Sequence, residues 1–223
     1  MNFSPYYLGI FEGHFDPAVA LVCDGKVIAY AEEERFVRYK HAPFIYPIKS
    51  LQYCLEQAGV TPNDISAIGV NWNLSSYSNG AMKHFFSRMR EEFDIDENTR
   101  KWQENTLKYF SYEATRKRHV LNWRRAFGSV SVPPFHAIQH HFVHALQAYC
   151  QSKFKSALSI TIDGSGDQHC TVIWHCKGDD IRPIREIFMP HSLGWFYAAF
   201  TEYLGFKSYD GEYKVMSLAA YGC

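Results

Sequence analysis

His140-His141-Phe142-Val143-His144-Ala145, followed nineteen residues after His144 by Asp163-Gly164-Ser165-Gly166-Asp167, holds the densest chemistry in the chain. On a helix, positions four apart stack on one face, so His140 and His144 offer two imidazole nitrogens to one point, while His141 faces about 100° away. The apolar run Ala157 to Ile162 reads as a strand ending at Asp163. A carboxylate there would complete a two-histidine, one-carboxylate metal site. Gly164 and Gly166 leave backbone N–H groups able to approach a phosphate. Each half alone has an ordinary reading: a His-x-x-x-His pair is commonly surface or core, and Asp-Gly-Ser-Gly-Asp is commonly a turn. Their pairing, a helix before and a strand leading straight into the glycines, argues for a functional site.

Outward from this stretch, 223 residues with 47% hydrophobic content suit one large globular domain or two small ones. Lys plus Arg equals Asp plus Glu at 23 each, so no overall field draws the chain to nucleic acid or an anionic membrane. No apolar run approaches the roughly 18 residues that cross a bilayer. Met1-Asn2-Phe3-Ser4-Pro5 lacks the basic-then-apolar pattern of a leader, and a cytoplasmic protein is expected. The six cysteines are scattered without a C-x-x-C pair and read as reduced packing residues.

At the N-terminus, Tyr6 to Phe11, Ala18 to Cys23 and Val27 to Glu32 read as three antiparallel strands, with Asp24-Gly25-Lys26 turning between the last two. Glu12-Gly13-His14-Phe15-Asp16, between the first two, has the character of a ligand-facing turn. The charged run Glu32 to His41, with Arg35, Arg38 and Lys40, reads as an anion-holding cluster or as a solvated loop. Pro47 to Gly59 has helical period and a glycine stop, and Ile65 to Val70 returns as a strand. Residues 80–127 read as a helical insertion whose basic residues, Arg116-Lys117-Arg118-His119 and Arg124-Arg125, could bind phosphate but, with acidic residues upstream, read first as a solvated face. Ser131 to Phe135 reads as an extended connector, and Pro190 to Tyr221 as two helices.

The acidic glycine turn occurs twice, at an offset of 151 residues, each time between a strand and an apolar run that leads to a third strand. Duplicated units of this kind resemble the actin-like ATPase fold, an α/β fold of two ribonuclease H-like units whose turns face one nucleotide cleft. The expected division is a first unit at 1–150, with the helical insertion at about 80–127, and a second at 151–223. The second lacks a fourth strand and is incomplete. An unfinished sheet predicts self-association or a completing partner chain.

Six ordered segments resemble the amino-terminal part of the carbamoyltransferase family that includes nodulation proteins and antibiotic O-carbamoyltransferases. They are Gly13-His14-Phe15-Asp16, Glu33 to His41, His140 to Ala145, Asp163 to Asp167, Ser192-Leu193-Gly194 with Phe196-Tyr197, and Gly211-Glu212-Tyr213-Lys214-Val215-Met216. The resemblance implies that carbamoyl phosphate and ATP yield a carbamoyl-adenylate, whose carbamoyl group passes to a hydroxyl of a small acceptor. It implies His140, His144 and Asp163 as ligands of a divalent transition metal, Fe2+ first by ligand set, with Zn2+ or Mn2+ as alternatives. Gly164, Ser165, Gly166 and Asp167, with Arg35, Lys40, Gly211, Glu212 and Lys214, would meet nucleotide or phosphate. His14 would be the catalytic base, since an imidazole titrates near neutrality. The family's adenylate-forming domain and a further aspartate ligand have no counterpart in this sequence, so no transfer is expected from the isolated chain. Two other readings remain, a non-catalytic nucleotide-binding subunit and a sugar-kinase-like phosphotransferase; the histidine pair disfavours the latter, because Mg2+ prefers oxygen ligands.

Overall fold

The computed structural model describes residues 4–13 and 15–222, and they form two units that divide after Ile138. In the first unit, β1 (Tyr6–Phe11), β2 (Ala18–Cys23) and β3 (Lys26–Glu32) make an antiparallel meander. Asp24 and Gly25 both take positive φ, 49° and 69°, the combination that a two-residue hairpin matching strand twist demands. After α1 (Glu34–Val37) and α2 (Ile48–Ala58), β4 (Ile65–Val70) joins parallel to β1. Then come α3 (Leu74–Ser78), α4 (Ala81–Glu92), α5 (Glu97–Tyr109), α6 (Tyr112–Phe127) and β5 (Phe135–Ala137), which pairs parallel to β4. The sheet order β3-β2-β1-β4-β5 is that of a ribonuclease H-like unit.

Alternation sets the core. Leu8 and Ile10 pair with Leu21 and Val19, and this row is buried with Leu51, Cys54 and Leu55 of α2. The helix starts where it does because Glu33, itself buried, accepts hydrogen bonds from Ser50 N–H and Oγ at 2.8 and 2.7 Å, a carboxylate at the positive end of the helix. Gly59 stops it in the left-handed region, at φ 63°.

The second unit repeats the meander with β6 (Ser156–Gly166), β7 (His169–Lys177) and β8 (Asp180–Phe188), preceded by α7 (His140–Gln151) and followed by α8 (Leu193–Tyr203) and α9 (Glu212–Leu218). The chain is therefore a duplicated α/β protein of the actin-like class, and among its described residues the second sheet holds three strands. Among the described residues, no helix is long and apolar enough to cross a membrane.

Three expectations change. The units part at 138/139 instead of 150/151, because Ala145 of α7, with Phe142 and Tyr149, packs on Val172, Trp174 and Cys176 of β7. The connector after Ser131 ends in a fifth strand, hidden in the sequence by its three-residue length and by Pro133-Pro134. The helical region 80–127 is a structural wall of the first unit: Met82, Phe86, Phe110 and Trp123 enter the same core as β1.

The basic run of α6 does not all face water. Arg118 reaches back 106 residues to Glu12, with Nη2 2.7 Å from Oε1 and the guanidinium 3.7 Å over the Tyr109 ring. His119 is buried, and its Nδ1 shares a 2.6 Å hydrogen bond with the Tyr46 hydroxyl. Burial lowers its pKa to about 3 and it stays neutral. Glu12 is only 2% exposed, and burial pushes its carboxyl above the ordinary range against the pull of Arg118. A carboxyl raised in the folded state binds protons better folded than unfolded, so this group disfavours the folded state progressively as pH rises through its raised value. Arg118→Met should therefore cost about 3 kcal/mol near neutral pH, leaving a buried charge unpaired. Thermal denaturation across pH checks it: the gap to wild type should narrow as acid protonates Glu12, and a pH-independent gap would mean that Glu12 is not the group stranded.

Candidate metal centre

All three residues of the site lie in the second unit. His140 opens α7 and His144 follows one turn later, while β6 delivers Asp163 near its end. His140 Nε2 is 3.0 Å from Asp163 Oδ2, His144 Nε2 is 3.0 Å from His140 Nε2, and His144 Nε2 is 3.6 Å from the same carboxylate oxygen. Three donor atoms thus face one point. Metal bonds of about 2.1 Å spread over 90–110° place neighbouring donors about 3.0–3.4 Å apart, so the spacing fits a divalent ion held by two imidazoles and a carboxylate. Protons satisfy the same atoms poorly, since one N–H between two facing nitrogens leaves the carboxylate oxygen to the other ring.

Asp163 is held as the anion. Burial by itself would raise its pKa, but hydrogen bonds with His140 and His144 and from the Gly164 N–H, 2.7 Å from Oδ1, bring it well below the usual carboxylate range. His141 points elsewhere. It is fully buried, and its Nε2 sits 3.2 Å from the His169 carbonyl, which can only accept, so Nε2 carries the proton and Nδ1 accepts from Thr161 Oγ1 at 2.8 Å. Burial drops its pKa to about 4, which keeps it neutral.

The glycines serve packing as well as backbone access. A Cβ on Gly166 would clash with the His140 ring, whose Cγ lies 2.6 Å from that point. A Cβ on Gly194, at the start of α8, would meet Gly164 N at 2.5 Å. Ser192 caps α8 by accepting from Trp195 N–H at 3.0 Å and donates to the Gly164 carbonyl at 2.7 Å. Ser192 and Gly194 thus lock the turn after Asp163 to α8, a role the sequence marked as a motif without revealing. Asp167 caps α7, its Oδ2 3.3 Å from the His140 N–H. Its carboxylate faces the helix that carries the ligands.

The other predicted residues are dispersed. Gly211 and Glu212 lie in the same unit, where the Glu212 carboxylate accepts from Tyr209 and Gly211 N–H, and Lys214 stands 5.8 Å over Phe206. Arg35 and Lys40 belong to the first unit, where Arg35 divides itself between Glu32 and Glu34 at 2.9 Å each. His14 lies outside the described residues. Its flanking turn is well fixed: Phe44 N–H donates to the Gly13 carbonyl and Asp16 N–H to that of His41, both at 2.8 Å, and the His41 ring meets Asp16 at 2.9 Å.

The chain matches the family model described as Carbamoyltransferase N-terminus over residues 7–223. It is 35% identical over 211 residues to the nodulation protein NolNO of Sinorhizobium fredii, covering 93% of this chain and 28% of that one. Uncharacterized protein sll1178 of Synechocystis is 32% identical over 228 residues, covering 97% and 35%. Uncharacterized protein MJ1051 of Methanocaldococcus jannaschii is 28% identical, covering 96% and 33%. The chain spans about a third of the length of these relatives.

Gly166→Ala tests the geometry without touching a donor atom. Displacing the His140 ring should weaken divalent-metal binding about 10- to 100-fold, the scale of losing support behind a ligand, and His144→Ala should do at least as much. His141→Ala should instead lower the melting temperature, since it removes a buried hydrogen-bonded ring. Calorimetric titration with Zn2+ reads the affinities; wild-type affinity in Gly166→Ala would remove His140 from the ligand set.

Proposed function

The chain belongs to the carbamoyltransferase family, whose amino-terminal model it matches from residue 7 to residue 223, and from that premise we propose that it is the metal-holding, carbamoyl-transferring part of an O-carbamoyltransferase. The proposed reaction moves a carbamoyl group from carbamoyl-adenylate, made from carbamoyl phosphate and ATP, to a hydroxyl of a small acceptor. The observation that supports this best is the meeting of His140, His144 and Asp163 within 3.6 Å of one another.

Fe2+ is the first choice for that donor set, with Zn2+ or Mn2+ as alternatives, and the ion would supply Lewis-acid polarisation of the carbamoyl carbonyl or the adenylate phosphate. The chain's own residues do the rest. Asp163 brings a fixed negative charge that balances part of the ion's, and the Asp167 cap with the buried face of α7 keeps His140 from rotating away. The backbone of Gly164 to Gly166 would sit against the adenylate phosphate, where charge grows as the bond to the carbamoyl carbon breaks. His14 would accept the acceptor's hydroxyl proton as its oxygen bonds to the carbamoyl carbon and AMP departs. Arg35, Lys40, Gly211, Glu212 and Lys214 would serve the nucleotide.

Anaerobic titration with Fe2+, then assay with a polyol acceptor, ATP and carbamoyl phosphate, tests the proposal. One ion per chain is expected, abolished by Asp163→Asn. Carbamoylated acceptor, followed by mass spectrometry, is expected only when a protein that makes carbamoyl-adenylate is added, and it should vanish in His14→Ala. Stoichiometric metal in Asp163→Asn, or full product in His14→Ala, would overturn the assignment.

A further inference from the structure

Wholly within the first unit, a cavity of about 280 Å³ lies between α6 and the extended segment that leads into β5. Val132, Pro133 and Pro134 make one wall, tied down where the Pro134 carbonyl accepts from Ile68 N–H at 2.8 Å. Tyr112, Arg116 and Val120 also line it; they recur every four residues and so share one face of α6. The Phe135 ring completes the lining, edge-on to Tyr112 at 6.2 Å and 4.7 Å from the His119 ring.

The charge in this lining is not neutralised. On α6, Arg118 holds Glu12 and His119 meets Tyr46, while Arg124 and Arg125 lie in the last turn, where the negative end of the helix favours cations. Arg116 has neither reason for its place. It stands in mid-helix and exposed, and its side chain makes no hydrogen bond or ion pair among the described residues. Its companions in the cavity are apolar apart from the Tyr112 hydroxyl and His119, which stays neutral. A lone guanidinium beside apolar walls matches a ligand with an anionic head and an apolar body.

We propose that this cavity binds a small aromatic carboxylate, with the carboxylate on the Arg116 guanidinium and the ring against Phe135, Val120 and the proline wall. The donors decide between carboxylate and phosphate. A phosphate is held by several cations or backbone N–H groups, whereas Pro133 and Pro134 have no N–H to give and the lining carries a single cation. A planar carboxylate needs only the two parallel N–H groups that a guanidinium presents. The walls decide the body, since proline rings, valines and aromatic rings offer apolar surface to a flat ring, and the cavity has room for one ring only. None of the residues assigned to carbamoyl transfer takes part, so this site stands or falls apart from that reading.

Fluorine NMR of para-fluorobenzoate titrated with the full chain tests the proposal. Saturable broadening with a dissociation constant of ~1 mM is expected, as suits a small open site, with para-fluorophenyl phosphate weaker and para-fluorobenzylamine silent. Arg116→Gln, at an exposed position that does not threaten folding, should weaken binding about 10-fold, the scale of a lost charge-assisted pair. Arg116→Lys should restore only part of the loss, because an ammonium cannot make the two-point contact. Arg124→Gln, outside the lining, should bind as wild type does. No saturable binding by the wild-type chain, tighter binding of the phosphate or the amine, full affinity in Arg116→Gln, or an equal loss in Arg124→Gln, the mark of diffuse surface attraction, would each overturn the proposal.

Discussion

His140 occupies the space where any side chain on residue 166 would be, and the second unit is arranged around that close approach. The ring can lie against β6 only because Gly166 is bare, and it stays there because Asp167, one residue on, reaches back to the first N–H of α7. The same hairpin that ends β6 therefore supplies Asp163, leaves room for the imidazole and caps the helix that bears it. Ser192 and Gly194 close the far side by packing α8 directly on the backbone after Asp163. Three separate segments fix one carboxylate, and a donor so held keeps its geometry without the entropy loss of ordering it on binding.

The first unit solves a related problem with different chemistry. Its turn at Gly13 to Asp16 follows β1 as the second turn follows β6, but here the residue at the strand end, Glu12, points inward. A buried carboxylate needs a partner, and the partner comes from α6. Trp72 Nε1 donates to the Glu12 carbonyl at 3.1 Å, Phe110 packs against Gly13, and the 38–44 segment clasps the other side with Arg38, His41, Ala42 and Phe44 all at positive φ. Backbone held so far from its ordinary range persists only where its surroundings over-determine it, and such segments gather at functional sites.

How much of this was legible in the sequence depended on the range of the interaction. The helix period gave His140 and His144 a common face, and the strand run gave Asp163 its place, because both signals lie within a few residues. The duplication was legible for the same reason: each meander carries its own turns. Arg118 was read as solvated, since nothing within its helix indicates a partner 106 residues away. The role of α7 as part of the second unit was likewise hidden, because its apolar positions fit a sheet on either side of it. Ser192 and Gly194 stood out as a motif, yet a close backbone contact between segments leaves no local trace beyond the glycine itself.

The repeat offset of 151 residues places Leu8 and Ile10 of β1 at Ser159 and Thr161 of β6, and in both units these positions are the buried ones. The row beneath the helix has changed from apolar to polar without a change of register, whereas a one-residue slip would have exchanged the two faces. The cause lies in the helix above. In α2 the buried face is Leu51, Cys54 and Leu55, which need only an apolar surface. In α7 the direction that sends His140 and His144 to Asp163 turns His141 down into the sheet, where a neutral imidazole must find both a donor and an acceptor. Thr161 Oγ1 and the His169 carbonyl provide them, with Trp174 Nε1 donating to the same hydroxyl at 3.4 Å. The Leu158, Ile160 and Ile162 row then falls on the opposite face of β6, 64, 58 and 58% exposed. The polarity of the second sheet thus follows from the orientation of the metal-binding helix: a strand placed to carry one ligand must also satisfy the histidine that lies between the other two.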